Sequence, residues 1–238
     1  MRILAVVFIL LFWMQSQADM IRIEAGGGIF NAQGSGSIGY GDTPVLDLDT
    51  LGHGSNNNLY LWAMLKHPIP ILPNVRLEYT EIYSDGTAPL EALGTEVLSS
   101  LDLKQYDLTL YYNLLDNTFW TTLDLGLDLK YIESSYQING LKGHSDNSDG
   151  TWVLLYLRSR IEIPTTGLAF EGDIKGFSYD DETLYDARLK MVYTFESVPV
   201  VQPGIELGYR MQKLDLELGP LKTDVTFKGF FAGVVARF

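Results

Sequence analysis

Lys104–Glu133 reads KQYDLTLYYNLLDNTFWTTLDLGLDLKYIE and states one rule twice across a tight turn. On its first arm Tyr106, Leu108, Leu110, Tyr112 and Leu114 alternate with Gln105, Asp107, Thr109, Tyr111 and Asn113. On the second, Phe119, Thr121, Leu123, Leu125, Leu127, Leu129 and Tyr131 alternate with Trp120, Thr122, Asp124, Gly126, Asp128 and Lys130. A period of two makes each arm a β-strand with one apolar and one polar face. A soluble sandwich would turn the apolar face inward, but here aromatic residues frame it near both ends, as in strands that face lipid. The segment is therefore read as a transmembrane hairpin turning at Leu115–Thr118.

The rest of the chain fits that reading. Its 238 residues suffice for one domain, and the only long apolar run is at the N-terminus. There Arg2 precedes an apolar core, Ile3 to Trp13, and Ser16-Gln17-Ala18 forms a small-x-small site. That core is too short for a bilayer of roughly 30 Å, which takes about 20 apolar residues. Residues 1–18 are expected to be a secretory signal and residues 19–238 the barrel. The absence of cysteine excludes disulfides, a thiolate metal site and a lipid anchor after the signal. A net charge of -13 argues against nucleic acid, whose phosphates require a basic surface.

Further alternating segments begin at Ile21, Val75, Val153, Leu168, Tyr185, Ile205 and Phe230. Leu59–His67 is apolar on both faces, so its orientation stays open, and the alternation of the Val75 strand fails at Glu81–Ile82, where the strand either bulges or leaves the membrane. About ten strands result, with eight or twelve as alternatives. Asn31–Asn57, Ser84–Asp102 and Ser134–Gly150 read as long polar loops, the second with a helical turn in PLEAL or EVLSSL, whereas Pro68–Asn74, Leu115–Thr118, Pro164–Gly167 and Glu196–Gly204 read as turns. Long outer loops and short periplasmic turns alternate in this way in outer-membrane barrels. The fold class is thus all-β, an antiparallel transmembrane barrel in the cell outer membrane.

An apolar outside leaves the polar positions inside, and they balance. Arg22, Arg76, Lys130, Arg158, Arg160, Lys175, Arg188, Lys190, Arg210 and Arg237 face Glu24, Glu78, Asp107, Asp124, Asp128, Glu162, Glu171, Asp173, Asp186 and Glu206. These form an expected lumen charge network. Barrels of eight to ten strands are near the size that side chains fill, whereas wide channels need about 16. A plugged interior is the first reading and a narrow conduit for small solutes the alternative. The terminal Phe238, the alternating apolar residues before it and Gly233 resemble the assembly signal of bacterial outer-membrane proteins, although Phe231 stands where a polar residue is usual.

AGGGIF at Ala25–Phe30, YDLTLYYNLLDN at Tyr106–Asn117 and LDLGLDLKY at Leu123–Tyr131 resemble the Gram-negative outer-membrane β-barrel family named for its N-terminal Gly-Gly. The resemblance implies fold and location; it brings no catalytic residue and no mechanism.

Candidate chemistry is sparse. Gly26-Gly27-Gly28 lacks the strand-loop-helix setting of a phosphate cradle, and close packing against a backbone or an inward aromatic explains it better. His53 and His144 fall in outer loops and His67 at a periplasmic turn. Omptin-like proteases pair Asp with His, yet no Asp-x-His occurs, and His144-Ser145-Asp146 lies in a loop. Lipid A deacylases use His-x-Ser on a strand, and His53-Gly54-Ser55 has the spacing without a strand to aim it. Asp146–Asp149 and Asp180–Glu182 are acidic tips with the oxygen ligands that divalent cations prefer, though solvated loop acids are the simpler reading. The expectation is therefore a monomeric barrel with no catalytic residue, metal or cofactor, in contact with outer-membrane lipid, lipopolysaccharide and the barrel-assembly machinery. A surface hydrolase is the second alternative.

Overall fold

A computed structural model describes residues 21–40, 46–90, 95–139, 144–180, 182–195, 201–218 and 221–238. The expected signal, residues 1–18, lies outside the described residues. The elements are β1 (Arg22–Tyr40), β2 (Leu46–Asp47), β3 (Ser55–Lys66), β4 (Asn74–Leu90), β5 (Thr95–Thr118), β6 (Thr121–Asn139), β7 (His144–Glu162), β8 (Leu168–Tyr179), β9 (Glu182–Thr194), β10 (Gln202–Leu218) and β11 (Leu221–Arg237). Ten of them pair antiparallel with their neighbours, and β11 returns to β1 to close a barrel, while the two-residue β2 hangs on β1 alone. Closure is what a lipid-embedded sheet requires, because an unpaired backbone edge in hydrocarbon costs several kcal/mol per group.

The strands are longer than the sequence pattern suggests. The three long polar loops shrink: β1 continues to Tyr40, β4 and β5 pair from Asn74↔Tyr111 to Leu90↔Thr95 without a register shift, and β6 pairs with β7 as far as Ile138↔His144. The helical turn anticipated in PLEAL or EVLSSL is therefore strand over Pro89–Leu90 and Thr95–Leu101. His144 and Asp146–Asp149 likewise belong to β7 rather than to a loop.

The reason these extensions are hard to read is that the polarity of the two faces reverses at the bilayer boundary. Along β4 the outward residues are Val75, Leu77 and Tyr79 and then Glu81, while the inward residues change from Arg76, Glu78 and Thr80 to the fully buried Ile82. The failed alternation at Glu81–Ile82 is thus the exit from the membrane, with the pairing intact and no bulge. The same reversal puts Leu101 and Leu103 of β5, Ile132 of β6, Leu154 of β7, Leu184 of β9, Leu214 and Leu216 of β10 and Val225 and Phe227 of β11 inside. Below the boundary hydrocarbon lies outside the wall, so apolar side chains point out. Above it the outside is water, and the same wall packs a soluble-type core within.

Aromatic residues mark the boundary. Outward-facing Tyr79, Tyr106 and Tyr131 stand side by side on β4, β5 and β6, with ring centroids 5.2 and 6.1 Å apart. The next outward row, Glu81, Lys104, Glu133 and Asp149, is charged. On β3, the orientation left open by sequence is settled: Leu59, Leu61, Ala63 and Leu65 face out, and Tyr60, Trp62 and Met64 face in.

At the periplasmic end the turn expected at Leu115–Thr118 lies at Phe119–Trp120 instead. Two register shifts precede it, and Asn117, Phe119 and Trp120 adopt φ of 47, 52 and 62°. Left-handed conformation at two successive central residues is the requirement of the tightest hairpin turns and usually falls to Asn-Gly. Two aromatics in its place conceal the turn from sequence inspection.

Candidate functional site

The lumen is where the topology gathers charged side chains. Eight buried cations (Arg76, Lys130, Arg158, Arg160, Lys175, Arg188, Lys190, Arg210) meet nine buried anions (Glu24, Glu78, Asp107, Asp124, Asp128, Glu171, Asp173, Asp186, Glu206). Arg22, Glu162 and Arg237 complete the set at the periplasmic rim, where they are partly exposed. All twenty positions that the sequence places inside therefore do face the lumen.

Many of the pairs join neighbouring strands in register, as Asp107 with Lys130, Asp124 with Arg158 and Asp173 with Arg188 do, but others cross the barrel. Arg188 on β9 forms a two-pronged hydrogen-bonded pair with Glu78 on β4, five strands away around the ten-stranded wall, at 2.5 and 2.9 Å. It also donates to Asp173 on β8 at 2.7 and 2.9 Å. Lys175 lies 3.0 Å from Glu78, 3.1 Å from Asp107 and 3.2 Å from Asp128. Glu171 draws in Arg158 at 2.7 Å, Arg160 at 3.2 Å and Lys190 at 3.2 Å. At the rim, Arg237 and Arg22 lie 3.1 and 2.6 Å from Glu24, and Arg237 reaches Glu162 on the far wall at 3.4 Å.

Aromatic residues fill the remaining width; the glycine run at 26–28 points to a close backbone or an inward aromatic without naming the ring. The Trp62 ring lies under the Lys190 ammonium at 4.7 Å and the Arg76 guanidinium at 5.2 Å, and its indole N–H donates to Glu206 at 3.0 Å. Tyr60 donates to the same carboxylate oxygen at 2.8 Å. These rings set the composition of the strands beside them. A Cβ at Gly26 would stand 2.8 Å from the Trp62 ring, and one at Gly233 would stand 2.3 Å from the Tyr60 hydroxyl. Close packing thus accounts for Gly26, and Gly233 has a structural reason independent of any assembly signal. Two voids in this zone, one bordered by Phe30, Tyr60, Arg188 and Arg210 and the other by Glu24, Arg160 and Lys190, measure about 10 Å³ each. A water molecule needs about 10–15 Å³, so each holds one at most.

A reciprocal amide pair between diametrically placed Gln105 and Gln212, at 2.5 and 2.9 Å, tops the ionic zone. Above it the lumen is apolar, and a strap, Leu46–Gly54, folds down into it from the outer end of β1. Leu48 and Leu51 of the strap are 0 and 1% exposed. The Leu48 amide donates to Gly36 O at 2.8 Å and the His53 amide to Leu48 O at 3.0 Å. The His53 imidazole is wedged between two inward serines, Nδ1 2.8 Å from Ser84 Oγ on β4 and Nε2 2.6 Å from Ser99 Oγ on β5. Burial pushes its pKa below the ordinary value, with the Asp85 carboxylate acting in the other direction. His53 is therefore aimed after all, by serines 31 and 46 residues away rather than by Ser55. No sequence spacing signals such a contact. The polarity reversal repeated on β4, β5, β10 and β11 is the signal that an apolar outer third exists.

No group of three or more His, Cys, Asp or Glu suited to a metal ion occurs among the described residues. Outside the wall a groove of about 350 Å³ runs over Asp102, Lys104, Tyr131, Glu133 and Asp149, just above the tyrosine row.

Fold and interior together define an all-β, closed, ten-stranded antiparallel barrel of the outer-membrane type with a filled lumen. No family model matches the sequence, and no curated protein matches it. Among solved structures, the chain is similar to the outer membrane protease OmpT from Escherichia coli, with 11% identity, coverage of 92% of this chain and 96% of that one, and a TM-score of 0.53. Other similar structures are Neisserial surface protein A (17% identity, 93 and 99% coverage, TM-score 0.39) and Ail, the attachment invasion locus protein of Yersinia pestis (15% identity, 92 and 100% coverage, TM-score 0.41). The likeness to the protease is one of fold.

Proposed function

We propose that this chain is an integral protein of the bacterial outer membrane, of the Gly-Gly-named family that its segments resemble, whose lumen is sealed and whose role is structural or one of surface interaction. The observation that carries the reading is the meeting of opposite walls: Arg188 with Glu78 and Gln105 with Gln212 span the full width of the barrel. An ion entering this zone would have to displace paired charges that already satisfy one another. The apolar outer band, its tyrosine row and the charged row above suit a wall set in lipid with lipopolysaccharide headgroups at Lys104 and Glu133. Phe238, 56% exposed and hydrogen-bonded through its backbone to Ile23, stays available to the assembly machinery.

Planar-bilayer recording on the pure protein tests the seal. We expect no steady conductance, and reproducible single-channel steps would replace this reading with the narrow conduit. The same preparation is expected to show no hydrolysis of peptides or lipid A. Turnover that disappears on replacing His53 or His144 would establish a surface hydrolase instead.

A further inference from the structure

The connection between β3 and β4, HPIPILP at 67–73, is strongly apolar for a periplasmic turn. Ile69, Ile71 and Leu72 are 53, 85 and 52% exposed. The turn is built rather than loose. Prolines at 68, 70 and 73 fix φ at three of its seven residues. The Ile69 amide donates to His67 Nδ1 at 3.2 Å, His67 Nε2 donates to the Pro73 carbonyl at 3.0 Å, and the Leu72 amide donates to Ile69 O at 3.3 Å. So braced, the turn keeps its aliphatic side chains on the surface.

Its direction is set as well. Tyr112, on the apolar outward face of β5, donates its hydroxyl to Ile71 O at 2.9 Å. The turn therefore bends outward against the lipid-facing side of the wall. The strands it joins are also short of apolar surface. Outward apolar residues run from Leu59 to Leu65 on β3 and from Val75 to Tyr79 on β4. At about 3.3 Å per residue and a tilt of about 40°, these stretches cover roughly 15 and 10 Å of depth, against an apolar band of about 25 Å in outer-membrane barrels. By the same measure the outward residues from Val153 on β7 to Ile163 just beyond it cover roughly 25 Å. The shortfall lies at β3 and β4, and the turn between them carries three aliphatic residues at the level where the band is missing.

We propose that the 67–73 turn is a phospholipid anchor: Ile69, Ile71 and Leu72 insert among the acyl chains of the periplasmic leaflet and complete the apolar band where β3 and β4 end early. The anchor rests on the outer-membrane reading above. Phe119 and Trp120, exposed at the β5–β6 turn, extend it along the rim as interfacial aromatics. Because it lies in one sector, the anchor sets the depth of the barrel there, and a bilayer meeting the barrel without it has to thin locally.

The chain has no cysteine, so a nitroxide attached to Ile71→Cys in the full-length mature protein reads a single position. In phosphatidylcholine vesicles its collisions with oxygen, which concentrates in hydrocarbon, are compared with its collisions with a water-soluble nickel chelate. Leu110→Cys on the lipid face of β5 and Thr166→Cys at the exposed β7–β8 turn give the two limits. The label at position 71 is expected to match Leu110 and to be several-fold less accessible to nickel than Thr166. Nickel accessibility equal to that of Thr166 overturns the anchor alone, and if Leu110 is equally accessible the membrane reading falls with it. Shielding from both reagents means a protein contact, such as a second copy, and also overturns the anchor. Ile69→Ser, Ile71→Ser and Leu72→Ser together change only exposed side chains. Judged by heat-modifiable migration, this variant is expected to fold as wild type does in thin didecanoyl-phosphatidylcholine vesicles and several-fold less in thicker dimyristoyl vesicles. No loss in either bilayer, or the same loss in both, overturns the proposal.

Discussion

Three carboxylates surround Lys175, from Glu78, Asp107 and Asp128, and the lysine side chain is fully buried. Its place in the barrel is understandable only as part of that set, since each carboxylate would otherwise repel the other two in a site with little water to screen them. Replacing it with methionine keeps the volume and leaves Asp128 without a cation, while Glu78 keeps Arg188 and Asp107 keeps Lys130. Lys175→Met is expected to lower unfolding stability by about 3–5 kcal/mol, the usual cost of breaking a buried pair from one side. Urea unfolding from lipid vesicles measures it, and a loss below about 1 kcal/mol would mean that water reaches the site. That Lys175 faces inward is evident from its alternation with Ile174 and Gly176. Its partners are not, because they lie on β4, β5 and β6, dozens of residues away.

The strap is the element in which residue chemistry becomes conformational. His53 is buried between two hydroxyls, and its pKa lies below the ordinary 6.5. The open strap, with an ordinary imidazole, therefore binds a proton at higher pH than the closed strap does. Closure is at full strength above about pH 6.5 and weakens as pH falls through that value toward the depressed pKa of the folded form. Hydrogen exchange at the Leu48, Leu51 and His53 amides, corrected for intrinsic rates, is expected to show less protection at pH 5 than at pH 7.5. His53→Gln should remove the difference, and equal protection at both pH values in the wild type would refute the dependence. Nothing in Asn31–Asn57 announces an inward-folding element, since a Gly/Asn/Asp-rich run looks the same whether it extends into solvent or packs against a wall.

At the scale of the whole molecule, one strand register runs unbroken through two environments. The β1–β11 seam pairs from Glu24↔Arg237 to Tyr40↔Leu221 without a shift and crosses both the lipid-facing and the water-facing zones. Closure leaves no free edge at which detergent could begin to unzip the sheet. The unboiled protein is expected to migrate faster on SDS gels than the boiled form, and Gly229→Val, whose Cβ would fall 1.8 Å from Asn31 O across the seam, should lower the temperature at which the fast form is lost. A single mobility at every temperature would contradict a closed sheet.

By itself the sequence determined the all-β class, a count of about ten strands, the inward parity of the lumen charges and the lipid face of the Lys104–Glu133 hairpin. All of these follow from a period of two read along one strand against one solvent, which is a local property. The tertiary structure alone decided which charges pair across the lumen, where the strands end, and that the outer third holds an apolar core with a strap in it. Those depend on which walls closure brings face to face, and on where the surrounding solvent changes from hydrocarbon to water, so that the same alternation there means the opposite orientation.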